Sequence, residues 1–152
     1  MSKQKVVICQ DLKAELQSFL DSLDYDKLFV LTDTNTVEKC FPLVKEVPAI
    51  QSARLIVVEA TDLHKDLESL STIWRHLSNE GASRHSVLLN LGGGMVTDMG
   101  GFAGATFKRG IRTINVPTTL MASVDAAVGG KTGINFNGLK NEIGAFYPPL
   151  CV

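Results

Sequence analysis

The sequence has three cysteines, Cys9, Cys40 and Cys151, and no two of them form a CxxC pair. So thin and odd a set supports neither a disulfide framework nor a zinc ribbon, and is read as reduced thiols. The three histidines, His64, His76 and His85, form no HxxxH or HExxH pattern. With no acid-rich cluster beside them, no complete metal site is expected within the chain. Charge of one sign is also lacking. With a net charge of -1 and 20% charged residues, nothing suggests a nucleic-acid or membrane surface. No apolar run is long enough to span a bilayer, and MSKQKVVICQ lacks the apolar core of a signal peptide. The expectation is one soluble, cytoplasmic domain over residues 1–152.

Five short runs rich in β-branched residues or Leu are present: Val6–Ile8, Leu28–Leu31, Leu55–Val58, Val87–Leu91 and Thr113–Val116. Continuous apolar runs of this length fit strands buried on both faces. Leu12, Leu16, Phe19, Leu20 and Leu23 share one helical face, as do Leu67, Leu70, Ile73, Trp74 and Leu77. Strand alternating with helix predicts an α/β fold, a mostly parallel Rossmann-like sheet flanked by helices. Ligands on such sheets sit beyond the C-terminal ends of the strands, so chemistry is sought there. After Val128 the segment GGKTGINFNGLKN reads as a long irregular loop of the functional kind.

Beyond the fourth run, Gly92, Gly93 and Gly94 lead into a helical pattern, a combination suited to a pyrophosphate. The fit to the GxGxxG fingerprint is partial, since Thr97 stands where the third glycine belongs. Asp98 is placed in the first turn of that helix, where it favours the dipole or holds a ligand hydroxyl. Gly100, Gly101 and Gly104 follow inside the helix, and close packing is the plainer account of them. Asp33 and Asp62 follow strand runs, Lys65 lies three residues on, and each acid is either a helix cap or an acceptor of ribose hydroxyls. Thr118 and Thr119 can cap a helix and present a hydroxyl. Lys108, Arg109 and Arg112 form either a solvated basic turn or an anion clamp.

Gly129-Gly130-Lys131-Thr132 has the ending of a nucleotide-triphosphate loop. A Walker loop would need glycine at position 125, where the residue is Asp125, and a strand before it, where Thr118–Val128 reads as helix. The lysine is assigned instead to an anion gripped beside Asp125, Lys140 and Asn141, with solvated surface lysines the other reading.

Three segments, GGGMVTDMGGFAGATFKRGI, NVPTTLMASVDAAVGGKTGIN and KNEIGAFYPP, resemble successive signatures of the 3-dehydroquinate synthase family. The resemblance is dense from Leu89 to Pro149. It implies a shikimate-pathway enzyme of aromatic amino acid biosynthesis, using NAD and a divalent metal, zinc or cobalt. That enzyme turns 3-deoxy-D-arabino-heptulosonate 7-phosphate into 3-dehydroquinate and phosphate. The implied chemistry is a transient oxidation, loss of phosphate, return of the hydride, ring opening and aldol closure. Gly93, Gly94, Met95 and Asp98 would meet the NAD phosphates and nicotinamide ribose. Asp33, Asp62 and Lys65 would serve the adenosine side, and Thr118 and Thr119 would line the same site. Asp125, Lys131, Lys140 and Asn141 would bridge cofactor and substrate. Arg109 would reach the substrate phosphate of a neighbouring subunit in a homodimer.

Departures from the family pattern are Asp62 for the usual Glu, Thr97 and Gly100 within the glycine helix, and Glu142. The family's metal ligands, one Glu and two His, belong to a second, helical domain beyond residue 152. The chain is therefore expected to act as an NAD-binding half that does not turn over alone. The alternatives are a sister sugar-phosphate cyclase of the valiolone or deoxy-inosose type, a polyol dehydrogenase, and an isolated nucleotide-binding module.

Overall fold

The computed structural model describes residues 4–152. Four parallel strands form the central sheet: β1 (Leu28–Asp33), β2 (Arg54–Val58), β3 (Val87–Gly92) and β4 (Arg112–Pro117), in the order β2-β1-β3-β4. All six residues of β1 and of β3 are buried, the pattern of strands covered on both faces. Alternate residues serve two cores. Phe29, Leu31 and Leu88 pack on one face with Leu70, Ile73 and Leu77 of α4 (Leu67–Asn79) and Val96, Met99 and Ala103 of α5 (Gly94–Thr106). Leu28, Val30 and Leu89 pack on the other with Leu16 and Leu20 of α1 (Leu12–Asp21) and Ile50 of α3 (Pro48–Gln51). A short helix α2 (Thr36–Lys39) follows β1. No helix among the described residues is long and apolar enough to cross a membrane.

The helices start where local chemistry starts them. Asp11 caps α1 by accepting from the Ala14 amide at 3.2 Å, and Glu15 reaches back to the Asp11 amide at 3.0 Å. Asp66 caps α4 through the Ser69 amide at 2.9 Å. In contrast, α5 has no side-chain cap at Gly93.

Two sequence expectations fail. The run Val6–Ile8 is not a sheet strand: only Lys5 makes a bridge, to Cys151, and Ile8 is 92% exposed. Cys151 also bridges Ile114, so the C-terminal residues lie beside β4, between it and Lys5. Nor is the stretch after Val128 irregular. It forms an antiparallel hairpin, β5 (Lys131–Phe136) and β6 (Leu139–Phe146). Asn137 and Gly138 both have positive φ, 53° and 75°, as a two-residue hairpin turn of this hand requires.

The hairpin lies on α5, and glycine makes the approach possible. A Cβ on Gly101 would stand 2.4 Å from Thr132 Cγ2, and one on Gly100 would stand 1.9 Å from Asn90 Oδ1. The helix glycines thus serve close packing, on the hairpin side and on the sheet side. The strand order reverses between β1 and β3, and the C-terminal ends of those strands are Asp33 and Gly92.

Candidate functional site

The site is built where β3 gives way to α5. Gly93 is extended (φ -79°, ψ -165°), and α5 begins at Gly94 with its first amides uncapped by any side chain. A helix of this length carries a partial positive charge at that end. Beside it, the Thr118 amide donates to the Gly92 carbonyl at 3.0 Å. Thr119 Oγ1 accepts from the Ala122 amide at 3.1 Å and so caps the next segment. That segment, Ala122–Ala126, is one π-helical turn and carries Asp125, which is exposed. A Cβ on Gly93 would meet the Thr119 methyl at 3.2 Å, and one on Gly94 would meet Ala126 at 3.3 Å. The N-terminus of α5 is thus walled closely by Thr119 and the π turn.

A cavity of about 530 Å³ opens at this place, lined by Asp98, Asp125, Lys131, Thr132 and Asn141 among others. Lys131 is exposed and opens a strand, β5, rather than the helix a Walker loop demands. Asp98 is the fifth residue of α5, beyond the first turn where the sequence had placed it. Its partner is Lys65 rather than the helix dipole. The Lys65 ammonium donates to Asp98 Oδ2 at 2.6 Å and to Asn141 Oδ1 at 2.5 Å. The pair is well covered, with side chains 5% and 21% exposed. Burial pushes the Asp98 carboxyl above its ordinary value, helped by the nearby carboxylates Asp125 and Asp62, and only partly opposed by Lys65. The short distance and the raised pKa pull in opposite directions, and desolvation wins.

Asp62 and Lys140 form a second, looser pair at 3.4 Å, with side chains 52% and 81% exposed. Asp62 starts a 3-10 turn, Asp62–His64, without capping it through its side chain. Asp33, in contrast, is engaged locally: Oδ1 accepts from the Asn35 and Thr36 amides, both at 2.8 Å, leaving Oδ2 for another partner.

The structure therefore brings together Asp62, Lys65, Asp98, Lys140 and Asn141, and sets Asp125 and Lys131 in the same cavity. Gly93, Gly94, Met95, Thr118 and Thr119 lie at the adjoining helix end. Arg109 stands apart. It precedes β4 and so lies at the N-terminal end of the parallel strands, opposite the site, exposed, on a turn where Lys108 and Arg109 both have positive φ, 49° and 65°. Arg112 leaves the basic cluster altogether, donating to the backbone carbonyls of Asp24 and His85. The three basic residues are not one clamp.

One residue of the site escaped the sequence reading. Asn135 donates from Nδ2 to the Asp62 carbonyl at 3.0 Å and accepts from the Asn141 amide at 3.0 Å. Its position in a stretch read as loop hid it; reading Asn137-Gly138 as a hairpin turn would have placed it opposite Lys140–Glu142.

The family model for the 3-dehydroquinate synthase N-terminal region matches residues 55–152. The chain belongs to the 3-dehydroquinate synthase family. It is 77% identical over 152 residues to the 3-dehydroquinate synthase of Parabacteroides distasonis, all of this chain and 43% of that protein. It is 47% identical over 134 residues to the 3-dehydroquinate synthase of Thermococcus kodakarensis, 88% of this chain and 38% of that protein. Among solved structures, the 2-epi-5-epi-valiolone synthase of Streptomyces hygroscopicus subsp. jinggangensis, with NAD+ and Zn2+ bound, superposes with a TM-score of 0.85. The two are 27% identical, with 99% of this chain and 42% of that chain covered. The chain thus spans less than half the length of these family relatives.

Proposed function

We propose that the chain is the cofactor-holding region of a 3-dehydroquinate synthase, and that the whole protein converts 3-deoxy-D-arabino-heptulosonate 7-phosphate into 3-dehydroquinate and phosphate. The observation that carries this is the cavity between α5, the π turn and the β5–β6 hairpin, where Asp98, Asp125, Lys131 and Asn141 converge, in a chain 77% identical to a 3-dehydroquinate synthase.

The residues present fit NAD. The start of α5, with no side-chain cap on its first amides, suits a pyrophosphate. Thr118 and Thr119 flank that end. Asp33, with one carboxylate oxygen uncommitted, and Asp62 are placed to accept from ribose hydroxyls. When bound, NAD supplies a hydride acceptor that takes up and returns one hydride. The residues do not fit a metal: no group of three or more His, Cys, Asp or Glu among the described residues is arranged to hold one. The divalent ion of the family reading must draw its ligands from outside this chain.

Lys131, free of any carboxylate partner among the described residues, is the cation for an incoming substrate anion. Asp125, which lines the same cavity, is the acceptor for sugar hydroxyls in this reading. The Lys65 ammonium polarises the Asn141 amide and orients the Asp98 carboxylate, so both present fixed atoms to the cavity. The raised pKa of Asp98 lets it hold a proton more readily than an ordinary carboxylate, and so serve as acceptor or donor to a hydroxyl. Arg109, on a strained turn far from its own cavity, is assigned to the site of a second subunit in a homodimer. The test is an assay of the whole gene product with the heptulosonate phosphate, NAD and zinc, following phosphate release and identifying the carbocycle. Dehydroquinate is the expected product. No phosphate release from the heptulosonate phosphate, with a different carbocycle formed when another sugar phosphate is supplied in its place, would assign the chain to a sister cyclase.

A further inference from the structure

The β5–β6 hairpin is irregular at one place. Ile134 pairs with Ile143 and Phe136 with Leu139, so Asn135 alone stands against Lys140, Asn141 and Glu142. Two extra residues on β6 bulge out of the ladder, and a bulge re-aims the side chains it carries. Those extra residues belong to the set that includes Lys140 and Asn141. Asn141 is held at φ 53°, a left-handed conformation that asparagine tolerates. What fills the gap left in the ladder is the Asn135 side chain, whose Oδ1 accepts from the Asn141 amide at 3.0 Å.

The other half of the same side chain faces a different element. Asn135 Nδ2 donates to the Asp62 carbonyl at 3.0 Å and lies 3.4 Å from Asp62 Oδ2. The Asn135 amide donates to the Lys65 carbonyl at 2.8 Å. The bonds close a circuit: Asn135 to Asp62 and Lys65, Lys65 to Asn141, and Asn141 back to Asn135. The segment so held needs holding, because Thr61, just before Asp62, sits at φ 84° and ψ 147°, strained for a β-branched residue. Asn135 itself does not line the cavity.

We propose that Asn135 is a positioning residue of the active site, a bracket that fixes the Asp62–Lys65 segment and the Lys140–Asn141 bulge against each other. It acts through Lys65 and Asn141 and touches no ligand. This role rests on the proposed reading of the cavity as a cofactor and sugar-phosphate site.

The experiment is a double-mutant cycle in the whole gene product, with Asn135→Ala, Asn141→Ala and both together, read as NAD Kd and as kcat. Asn135→Ala should lower kcat on the order of tenfold to a hundredfold, the scale of a small misplacement transmitted to reacting groups. The double variant should lose less than the product of the two single losses, because part of what Asn135 does passes through Asn141 while its hold on Asp62 does not. Independent, multiplying losses would overturn the proposal. Amide exchange supplies a readout that needs no activity. In Asn135→Ala, exchange should speed up at Asn141 and over residues 61–65, with β1 and β3 unchanged. Unchanged exchange there, or loosening spread evenly over the sheet, would also overturn it. If the unaltered protein neither binds NAD nor turns over, the functional reading fails, and the exchange pattern still decides whether Asn135 is the bracket.

Discussion

Two ion pairs grow from one short segment and differ in almost every physical respect. Lys65 meets Asp98 at 2.6 Å, with both side chains covered and Asn141 sharing the ammonium. Asp62 meets Lys140 at 3.4 Å, with both side chains more than half exposed. A covered pair is held by the cost of separating it, since either partner left alone is a buried charge. An exposed pair is worth about 0–1 kcal/mol, and water or a ligand replaces it readily. The first therefore holds two lining residues of the cavity, Asp98 and Asn141, as its fixed floor, and the second, next to Asn141 but outside that lining, is an exchangeable rim.

The strongest way to break this distinction is Lys65→Met. It leaves Asp98 without the cation that opposes its desolvation, so the carboxyl, already raised, climbs further. Because Asp98 keeps some exposure, the loss should be about 2–3 kcal/mol near neutral pH, at or below the lower end for a broken buried pair. The pH dependence has a definite sign. A carboxyl whose folded pKa exceeds its unfolded value binds a proton more tightly when folded. Folding is then favoured as pH falls through the folded pKa, and loses that advantage as pH rises through it. The deficit of Lys65→Met against the unaltered protein should therefore shrink on acidification. Denaturant midpoints at neutral and mildly acidic pH would measure this, and a deficit that grew with acid would contradict the assignment.

A smaller effect is expected one turn along α5. Gly101 lets β5 lie on the helix that carries Asp98, and a Cβ there would meet Thr132 Cγ2 at 2.4 Å. Gly101→Ala should cost about 1–2 kcal/mol through overpacking. Adding Thr132→Ser removes the opposing methyl while keeping the hydroxyl that donates to the Ala145 carbonyl at 2.7 Å, and should restore most of the loss. Thermal midpoints of the two variants test whether the floor depends on this seam.

How much of this was legible in the sequence follows the same division. Val87–Leu91 and the glycines after it showed strand, turn and helix directly, since burial on both faces and backbone approach leave local marks. The regular spacing of Leu67, Leu70 and Leu77 likewise showed α4. What local pattern could not show was pairing across the chain. Nothing near Lys65 says that its partner is Asp98, which lies 33 residues on. Val6–Ile8 has strand composition, yet the edge beside β4 is held by Cys151 from the far end of the chain. The hairpin was different: Asn137-Gly138 was in view, and its turn chemistry outweighed the glycine-rich composition that suggested a loop.

The rim carries the smallest stability effect and sharpens the contrast most. Lys140→Ala removes a cation whose side chain is 81% exposed and whose carboxylate partner is itself half in water. Its folding stability should change by less than about 1 kcal/mol, within the range of exposed pairs. Its loss should nevertheless weaken NAD or sugar-phosphate binding severalfold, because Lys140 adjoins Asn141, which lines the cavity, and is itself not locked in place. Asp62→Asn should behave alike in stability and differ in ligand binding, since it leaves Lys140 free while replacing one oxygen of the carboxylate proposed to accept from ribose hydroxyls by an NH2 donor. Melting curves paired with NAD titrations of both variants decide the point. A rim variant that melted as badly as Lys65→Met would show that the two pairs do the same job.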